Sequence, residues 1–135
     1  MIHVIMGLKG SGKTKKLVDS VNAAASTADG VVVYIEYGNK LTYDVNYRVR
    51  LVDSKEYAIS NACMLKGFLS GLHAGNFDIT HVYIDNLYKT IGSDRAAGED
   101  FILWCSDFAK ANNMEITLSV SDDPEQASDE VKKFL

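Results

Sequence analysis

Residues 7–14 read Gly-Leu-Lys-Gly-Ser-Gly-Lys-Thr, and this stretch decides the fold, because it fits the pattern G-x-x-x-x-G-K-[ST]. A short apolar run, residues 2–6, precedes it, and a segment with helical periodicity begins near Gly12. A buried strand, a glycine-rich turn and a helix in this order present converging backbone N–H groups to an anion. The sequence therefore predicts a phosphate-binding loop between the first strand and the first helix.

Each residue type in this loop has a chemical reason. Glycine permits positive φ angles and a close approach of phosphate to the backbone. The Lys13 ammonium would reach the β and γ phosphates of a nucleotide, and the Thr14 hydroxyl would bind Mg²⁺. We assign a catalytic role to Lys13 as well. The predicted nucleotide-binding residues are Gly7, Leu8, Lys9, Gly10, Ser11, Gly12, Lys13, Thr14 and Lys15.

The rest of the chain alternates apolar, β-branched runs with segments of helical periodicity. Such alternation predicts an α/β domain with a mostly parallel sheet of about five strands flanked by helices. We expect one minimal domain over residues 1–135. The predicted strands are 2–6, 31–36, 45–52, 80–85 and 115–121, and the predicted helices are 12–26, 54–74, 99–112 and one that starts at 123.

Composition narrows the classes of function. The 135 residues carry 14 Lys and Arg against 18 Asp and Glu, and this net charge of −4 makes a nucleic-acid partner unlikely. Cys63 and Cys105 stand alone in apolar segments, which predicts two reduced core thiols rather than a disulfide or zinc site. Since no apolar run approaches the length of a membrane span, we expect a cytoplasmic protein without a membrane partner.

The chain resembles the P-loop NTPases, with the Walker A motif at residues 7–14. The segment 81–85, His-Val-Tyr-Ile-Asp, is similar to the Walker B motif of that family, an apolar strand that ends in Asp. The resemblance implies a three-layer P-loop fold with ATP and Mg²⁺ as cofactors. It also implies that Asp85 holds the metal together with Thr14. Independently, the carboxyl end of a parallel strand is where ligands bind in such sheets.

One departure from the family pattern concerns the catalytic base. Many hydrolysing members carry a Glu directly after the Walker B Asp, whereas this chain has Asn86, whose carboxamide cannot accept a proton. Three carboxylates at predicted strand ends offer a replacement. Glu36 is the preferred catalytic residue, Asp122 is the alternative, and Asp123 before Pro124 has the sequence of a helix N-cap.

Other groups are candidates for contacts with the γ phosphate. A charge-stabilising arginine could be Arg48, Arg50 or Arg95, or could come from a partner, and the alternation of the first two along a predicted strand favours exposed positions. Ser121, at the end of the last strand, could contact the γ phosphate. The alternation of Thr117 and Ser119 with apolar residues in that strand predicts an edge or a thinly covered face, and therefore self-association.

Over its whole length the chain is similar to a group of short bacterial P-loop proteins, some of them named after the twitching-motility ATPase. A weaker resemblance to the type II thymidine kinases lacks their four-cysteine zinc module and their Asp-Glu pair. ATP is preferred over GTP because residues 39–42, Asn-Lys-Leu-Thr, lack the Asp of the guanine-reading motif.

Three functions remain open on the sequence. The first is an Mg-ATP-binding protein with slow or partner-stimulated hydrolysis, which has a protein partner or a second copy of the chain. The second is a nucleotide-gated interaction module without catalysis. The third is a kinase for nucleosides or other small molecules.

Overall fold

Strands and helices alternate along the computed structural model, which describes residues 1–42 and 44–135. Gly12 lies in the left-handed region with φ 84°, and helix α1 starts immediately after it. The side-chain oxygens of Asn61 and Asp94 cap the helices that follow them. The elements are β1 (Ile2–Gly7), α1 (Lys13–Thr27), β2 (Val31–Glu36), β3 (Arg50–Asp53), α2 (Ala62–Gly75), β4 (Ile79–Ile84), α3 (Leu87–Ile91), α4 (Arg95–Ala111), β5 (Glu115–Ser121) and α5 (Asp129–Lys132).

The five strands form one sheet in the order β1-β5-β4-β2-β3, and every neighbouring pair is parallel. Gly7 at the end of β1 pairs with Ser121 of β5, and Ile84 of β4 pairs with Ile35 of β2. The carboxyl ends of all strands therefore meet at one edge of the sheet, where the loop after β1 also lies. This arrangement confirms the predicted α/β fold with a parallel five-stranded sheet.

Apolar side chains cover both faces of the sheet. One buried cluster joins the sheet to α2, α3, α4 and α5 around Leu65, Phe101 and Leu118, and the other joins it to α1 through Leu17 and Val21. At the outer rim of β1, the backbone N–H of Val4 donates to the carbonyl of Phe134 at 2.9 Å, so the C-terminal residues cover part of this edge strand. None of the helices in the described residues is long and apolar enough to cross a bilayer.

Two predicted elements begin later than expected. Where the sequence predicted a strand over 45–52, only Arg50–Asp53 forms one. Val45 and Val49 are buried, but they lie in turns and do not belong to a strand. The side chain of Asn22 holds this segment by accepting from Asn46 N at 2.7 Å. The helix predicted from Ser54 starts at Ala62. The alternation of apolar residues over 45–52 therefore indicated which side chains are buried, but it did not indicate a strand.

The buried hydroxyl of Ser54 explains why it is not a cap. It lies 3.0 Å from the Thr90 hydroxyl, and Asn61 caps α2 instead by accepting from Met64 N. The helix predicted over 99–112 starts four residues earlier, after Asp94. The final predicted helix is a 3₁₀ turn, Pro124–Gln126, followed by α5, and Asp123 does cap the turn by accepting from Glu125 N.

The predictions of an edge position for β5 and of two core thiols were partly wrong. β5 lies between β1 and β4, with Ser119 fully buried. Thr117 and Ser119 are both buried, and the Ser119 hydroxyl is hydrogen-bonded to Asp85 and to the backbone of Asn86, so their alternation with apolar residues gives no reason to expect self-association. Cys105 is buried as predicted, whereas Cys63 is exposed.

Candidate functional site

The loop between β1 and α1 has the backbone geometry that an anion cradle requires. Gly10 and Gly12 both have φ of 84°, where a side chain would strain the backbone. A Cβ on Gly7 would lie 2.5 Å from the Ser11 hydroxyl oxygen, so no larger residue fits there without a shift. The predicted loop glycines thus occupy positions with a conformational or steric need for glycine.

Lys13 lies beneath this loop and is only 8% exposed. Its Nζ donates to the Leu8 carbonyl at 3.0 Å and to the Ser11 hydroxyl at 3.4 Å. Both acceptors are neutral, so the positive charge of this buried ammonium has no anionic partner among the described residues. An anion entering the loop would supply the missing negative charge.

Asp85 connects the loop to the middle of the sheet. Thr14 Oγ1 lies 3.2 Å from both carboxylate oxygens of Asp85, and Ser119 Oγ donates to Oδ1 at 2.8 Å. The Ser119 hydroxyl in turn accepts the backbone N–H of Asn86 at 2.7 Å. The structure therefore brings together Thr14 and Asp85, the two residues predicted to bind metal. Sequence analysis missed Ser119 as a site residue, although its polar side chain within an apolar strand was visible.

We expect Ser119→Ala to lower the free energy of unfolding by about 1–3 kcal/mol, since it leaves the partly buried Asn86 N–H without its partner and removes one of the hydrogen bonds to Asp85. Urea denaturation followed by circular dichroism measures this change. Ser121→Ala serves as the matched control, because Ser121 makes no side-chain hydrogen bond among the described residues. Equal stability of the wild type and Ser119→Ala would contradict the role of this hydroxyl.

The Thr14 and Asp85 side chains fit a hydrated Mg²⁺ ion. Mg²⁺ binds hydroxyl and carboxylate oxygens, keeps several waters and usually takes only one or two carboxylates together with substrate phosphates. Within the described chain there is no cluster of three or more His, Cys, Asp or Glu side chains that would hold a metal without a phosphate. The donor set is thus that of a metal bound jointly with a phosphorylated substrate.

A buried hydroxyl near Asp85 also lacks a partner. Tyr34 is fully buried in β2, and its hydroxyl is the one buried side-chain polar atom without a hydrogen bond in residues 1–42 and 44–135. Burial, followed by the negative charge of Asp85, raises the pKa of Tyr34 well above its usual value. The Tyr34 hydroxyl thus lies near the Asp85 carboxylate without a direct hydrogen bond to it, and a water between them would satisfy both groups.

Glu36, the predicted base, lies at the end of β2 and is 6% exposed. Its Oε1 accepts the backbone N–H of Leu41 at 3.2 Å. Burial raises the pKa of Glu36 above its usual value, and the nearby charges of Asp85 and Asp53 add to this effect, while the Leu41 hydrogen bond and Lys40 oppose it. The resulting carboxylate is more basic than an exposed one, as a proton acceptor requires.

Asp122, the alternative base, is engaged elsewhere. Arg95 donates to its two oxygens at 2.8 Å each, and the Tyr88 hydroxyl donates to Oδ2 at 2.9 Å. These hydrogen bonds, led by that of Arg95, hold the pKa of Asp122 far below its usual range. Such a carboxylate is a weak proton acceptor, so the structure favours Glu36 over Asp122.

This ion pair predicts a pH dependence of stability. Because the pKa of Asp122 is lowered in the folded protein, its contribution is present above the unfolded value of 3.8 and is lost as the pH falls below it. We expect Asp122→Asn to lower the free energy of unfolding at neutral pH, only slightly because Arg95 is half exposed, and by less below a pH of about 4. Urea denaturation of the wild type and of Asp122→Asn, at neutral pH and below a pH of about 4, measures the loss of stability. A loss that is larger in acid than at neutral pH would contradict this account.

None of the three arginines is placed to act as a free charge-stabilising group at the loop. Arg95 is paired with Asp122, and Arg48 and Arg50 are exposed outside both cavities described below. The exposed positions of Arg48 and Arg50 agree with the prediction from the alternation of residues 45–52. A stabilising arginine would therefore have to come from another chain.

Two cavities open at the carboxyl edge of the sheet. The larger, of about 520 Å³, is bounded by the phosphate-binding loop and by the ends of β4 and β5, including Ser121. The smaller, of about 210 Å³, lies on the β2 side and includes Glu36. Both cavities are lined by Thr14, Asp85, Asn86 and Lys89. The predicted Mg²⁺ ligands thus stand in the wall between the loop cavity and the predicted base.

Comparison with known proteins supports the fold. No family model and no curated protein matches the chain. Among solved structures 46 chains match; one is domain III of the replication initiation protein DnaA from Thermotoga maritima, with a TM-score of 0.51 and 16% sequence identity. The match covers 93% of this chain and 45% of the other, so this chain spans less than half the length of the structure that it matches. At this identity the likeness establishes a shared fold alone.

Proposed function

We propose that this chain binds Mg-ATP in the loop cavity and hydrolyses it slowly, or faster when a protein partner engages. The observation that carries this proposal is the contact between Thr14 and Asp85 at the foot of a loop with two positive-φ glycines. A hydroxyl and a carboxylate in contact, next to a buried ammonium, are the groups that a metal-bound triphosphate needs.

Different residues of the chain would bind the phosphates, hold the metal ion and accept the proton. The loop N–H groups and Lys13 bind the phosphates, and Thr14 and Asp85 hold Mg²⁺, which when bound offsets the charge of the phosphate oxygens. Glu36 takes the proton of the attacking water. We expect slow turnover, since Asn86 follows Asp85 and since each arginine is exposed or paired. A partner protein or a second copy of the chain would supply a charge-stabilising arginine.

Titration of the purified protein by calorimetry tests this proposal. We expect Mg-ATP to bind, ATP with excess chelator to bind far more weakly, and Mg-GTP to bind less tightly than Mg-ATP. If ATP without Mg²⁺ bound as tightly as Mg-ATP, Thr14 and Asp85 would not be metal ligands. Absence of any nucleotide binding would overturn the proposal as a whole.

A nucleotide-gated interaction module without catalysis is the second candidate. The observation that favours it is Asn86, which lines both cavities and has no proton-accepting group. Phosphate release in the presence of Mg-ATP, measured with and without cell extract, separates the two candidates. Release in neither condition, together with tight Mg-ATP binding, would favour the module.

A further inference from the structure

The smaller cavity has room for more than the single attacking water that hydrolysis requires. A single attacking water occupies about 30 Å³ of liquid, whereas the cavity on the Glu36 side measures about 210 Å³. It is also smaller than the roughly 300 Å³ at which pockets for drug-sized ligands begin. Its size therefore corresponds to a molecule larger than water and smaller than a nucleoside.

The position of this cavity places such a molecule next to the reacting phosphate. Its wall shares Thr14 and Asp85, the proposed metal ligands, with the loop cavity. The lining of the smaller cavity also includes Glu36, a buried carboxylate that is absent from the lining of the loop cavity. A ligand in this cavity would therefore lie against a proton acceptor and against the proposed metal ligands.

The charges of the cavity favour a neutral ligand. The carboxylates of Glu36 and Asp85 are matched in number by the ammonium groups of Lys40 and Lys89. The formal charges of these four groups cancel, so beyond the metal ion proposed at Asp85 the lining has no excess charge that would select a charged second ligand. Charged groups on several sides instead offer hydrogen-bond donors and acceptors for hydroxyl groups.

Two further residues suit a polyhydroxylated molecule. Asn86 contributes a carboxamide, which both donates and accepts hydrogen bonds, and its φ of 49° is a left-handed conformation uncommon outside glycine. Tyr37, 43% exposed, offers an aromatic ring to the C–H surface of the ligand. Lys55 Nζ lies 5.9 Å from the centre of this ring, a cation–π contact that helps to orient it.

We propose that the smaller cavity binds a second substrate, a small uncharged polyol, and that one of its hydroxyl groups accepts the γ-phosphoryl group of ATP. This inference rests on the proposed binding of Mg-ATP. The hydroxyl oxygen forms a bond to the γ phosphorus, the bond from that phosphorus to the bridging oxygen breaks, and its electron pair leaves with ADP. The hydroxyl proton passes to the Glu36 carboxylate and then to solvent. The products are ADP and a phosphate monoester.

Product analysis with γ-labelled ATP tests the transfer. Glycerol and D-ribose serve as polyol probes, and adenosine serves as a probe that exceeds the size of the cavity. We expect labelled phosphate monoester from at least one polyol and none from adenosine. Phosphorylation of adenosine alone, or transfer to water alone with both polyols, would overturn the proposal, whereas failure to bind Mg-ATP would overturn the proposed function instead.

A binding measurement gives a second readout that does not depend on turnover. Leu41 lines the smaller cavity, and Gly38 follows the lining residue Tyr37. The NMR chemical shifts of their backbone amides should change when the phosphorylated polyol is added to the Mg-ADP complex. Tyr37→Ala should raise the KM for the polyol at least tenfold and leave the affinity for Mg-ATP unchanged. The matched control is Tyr47→Ala, since Tyr47 is 88% exposed and lies outside both cavities. Equal effects of the two variants, or unmoved amides, would contradict a ligand in this cavity.

Discussion

Lys13→Ala should weaken the binding of Mg-ATP by at least 100-fold while leaving the fold intact. The ammonium is 8% exposed and its acceptors are the neutral oxygens of Leu8 and Ser11, so its charge is available to phosphate. A charge pair at about 4 Å with an effective dielectric near 20 is worth on the order of 4 kcal/mol before desolvation, which exceeds the roughly 2.8 kcal/mol of a 100-fold change.

Calorimetric titration of Lys13→Ala and Lys16→Ala measures this effect. Both variants remove one positive charge from the first turns of α1, but Lys16 is exposed and lines neither cavity. We expect the Lys16 variant to bind within about threefold of the wild type, because exposed charges contribute about 0–1 kcal/mol. If both variants bound Mg-ATP as the wild type does, the loop would not be the phosphate site.

Glu36→Gln should lower the rate of ATP hydrolysis by 10²–10⁴-fold, the range that general-base assistance supplies. The amide keeps the size of the side chain and still accepts the Leu41 N–H, but it cannot take a proton. Binding of Mg-ATP should stay within about threefold of the wild type, because Glu36 lines the smaller cavity and not the loop cavity.

Phosphate release under single-turnover conditions is the measurement, since it reports the chemical step without product release. Glu56→Gln, a change of an exposed glutamate outside both cavities, is the control. Hydrolysis by Glu36→Gln at the wild-type rate would exclude Glu36 as the base. Asp122 would not replace it, because Arg95 and Tyr88 occupy its oxygens.

The parts of the site that sequence analysis predicted are those fixed by local rules. Residues 7–14 require glycine at defined positions, and both Gly10 and Gly12 have the positive φ that the pattern implies. Asp85 follows a strand buried on both faces, and its proximity to Thr14 follows from the meeting of parallel strand ends at one edge. Sequence spacing alone is sufficient for such inferences.

The parts that it missed depend on contacts between distant residues. Ser119 supports Asp85 only because β5 inserts between β1 and β4, and the order of strands cannot be inferred from one sequence. The same insertion buries the polar residues that predicted an edge strand. Val45 and Val49 alternate with polar residues as they would in a strand. They are instead buried side chains in turns, and the side chain of Asn22 holds this segment through a hydrogen bond. Burial of alternate residues does not require pairing with a neighbouring strand.

The hydrogen bond from Val4 to Phe134 has a practical consequence for handling the protein. The strand that leads into the phosphate-binding loop lies at one edge of the sheet, and the last residues shield part of its rim. Trimming them would leave amide and carbonyl groups of that rim open to another molecule of the same kind, the usual start of self-templated aggregation. Shortened versions would then precipitate for reasons unrelated to the loop, and a loss of nucleotide binding in them would be misread as a defect of the site.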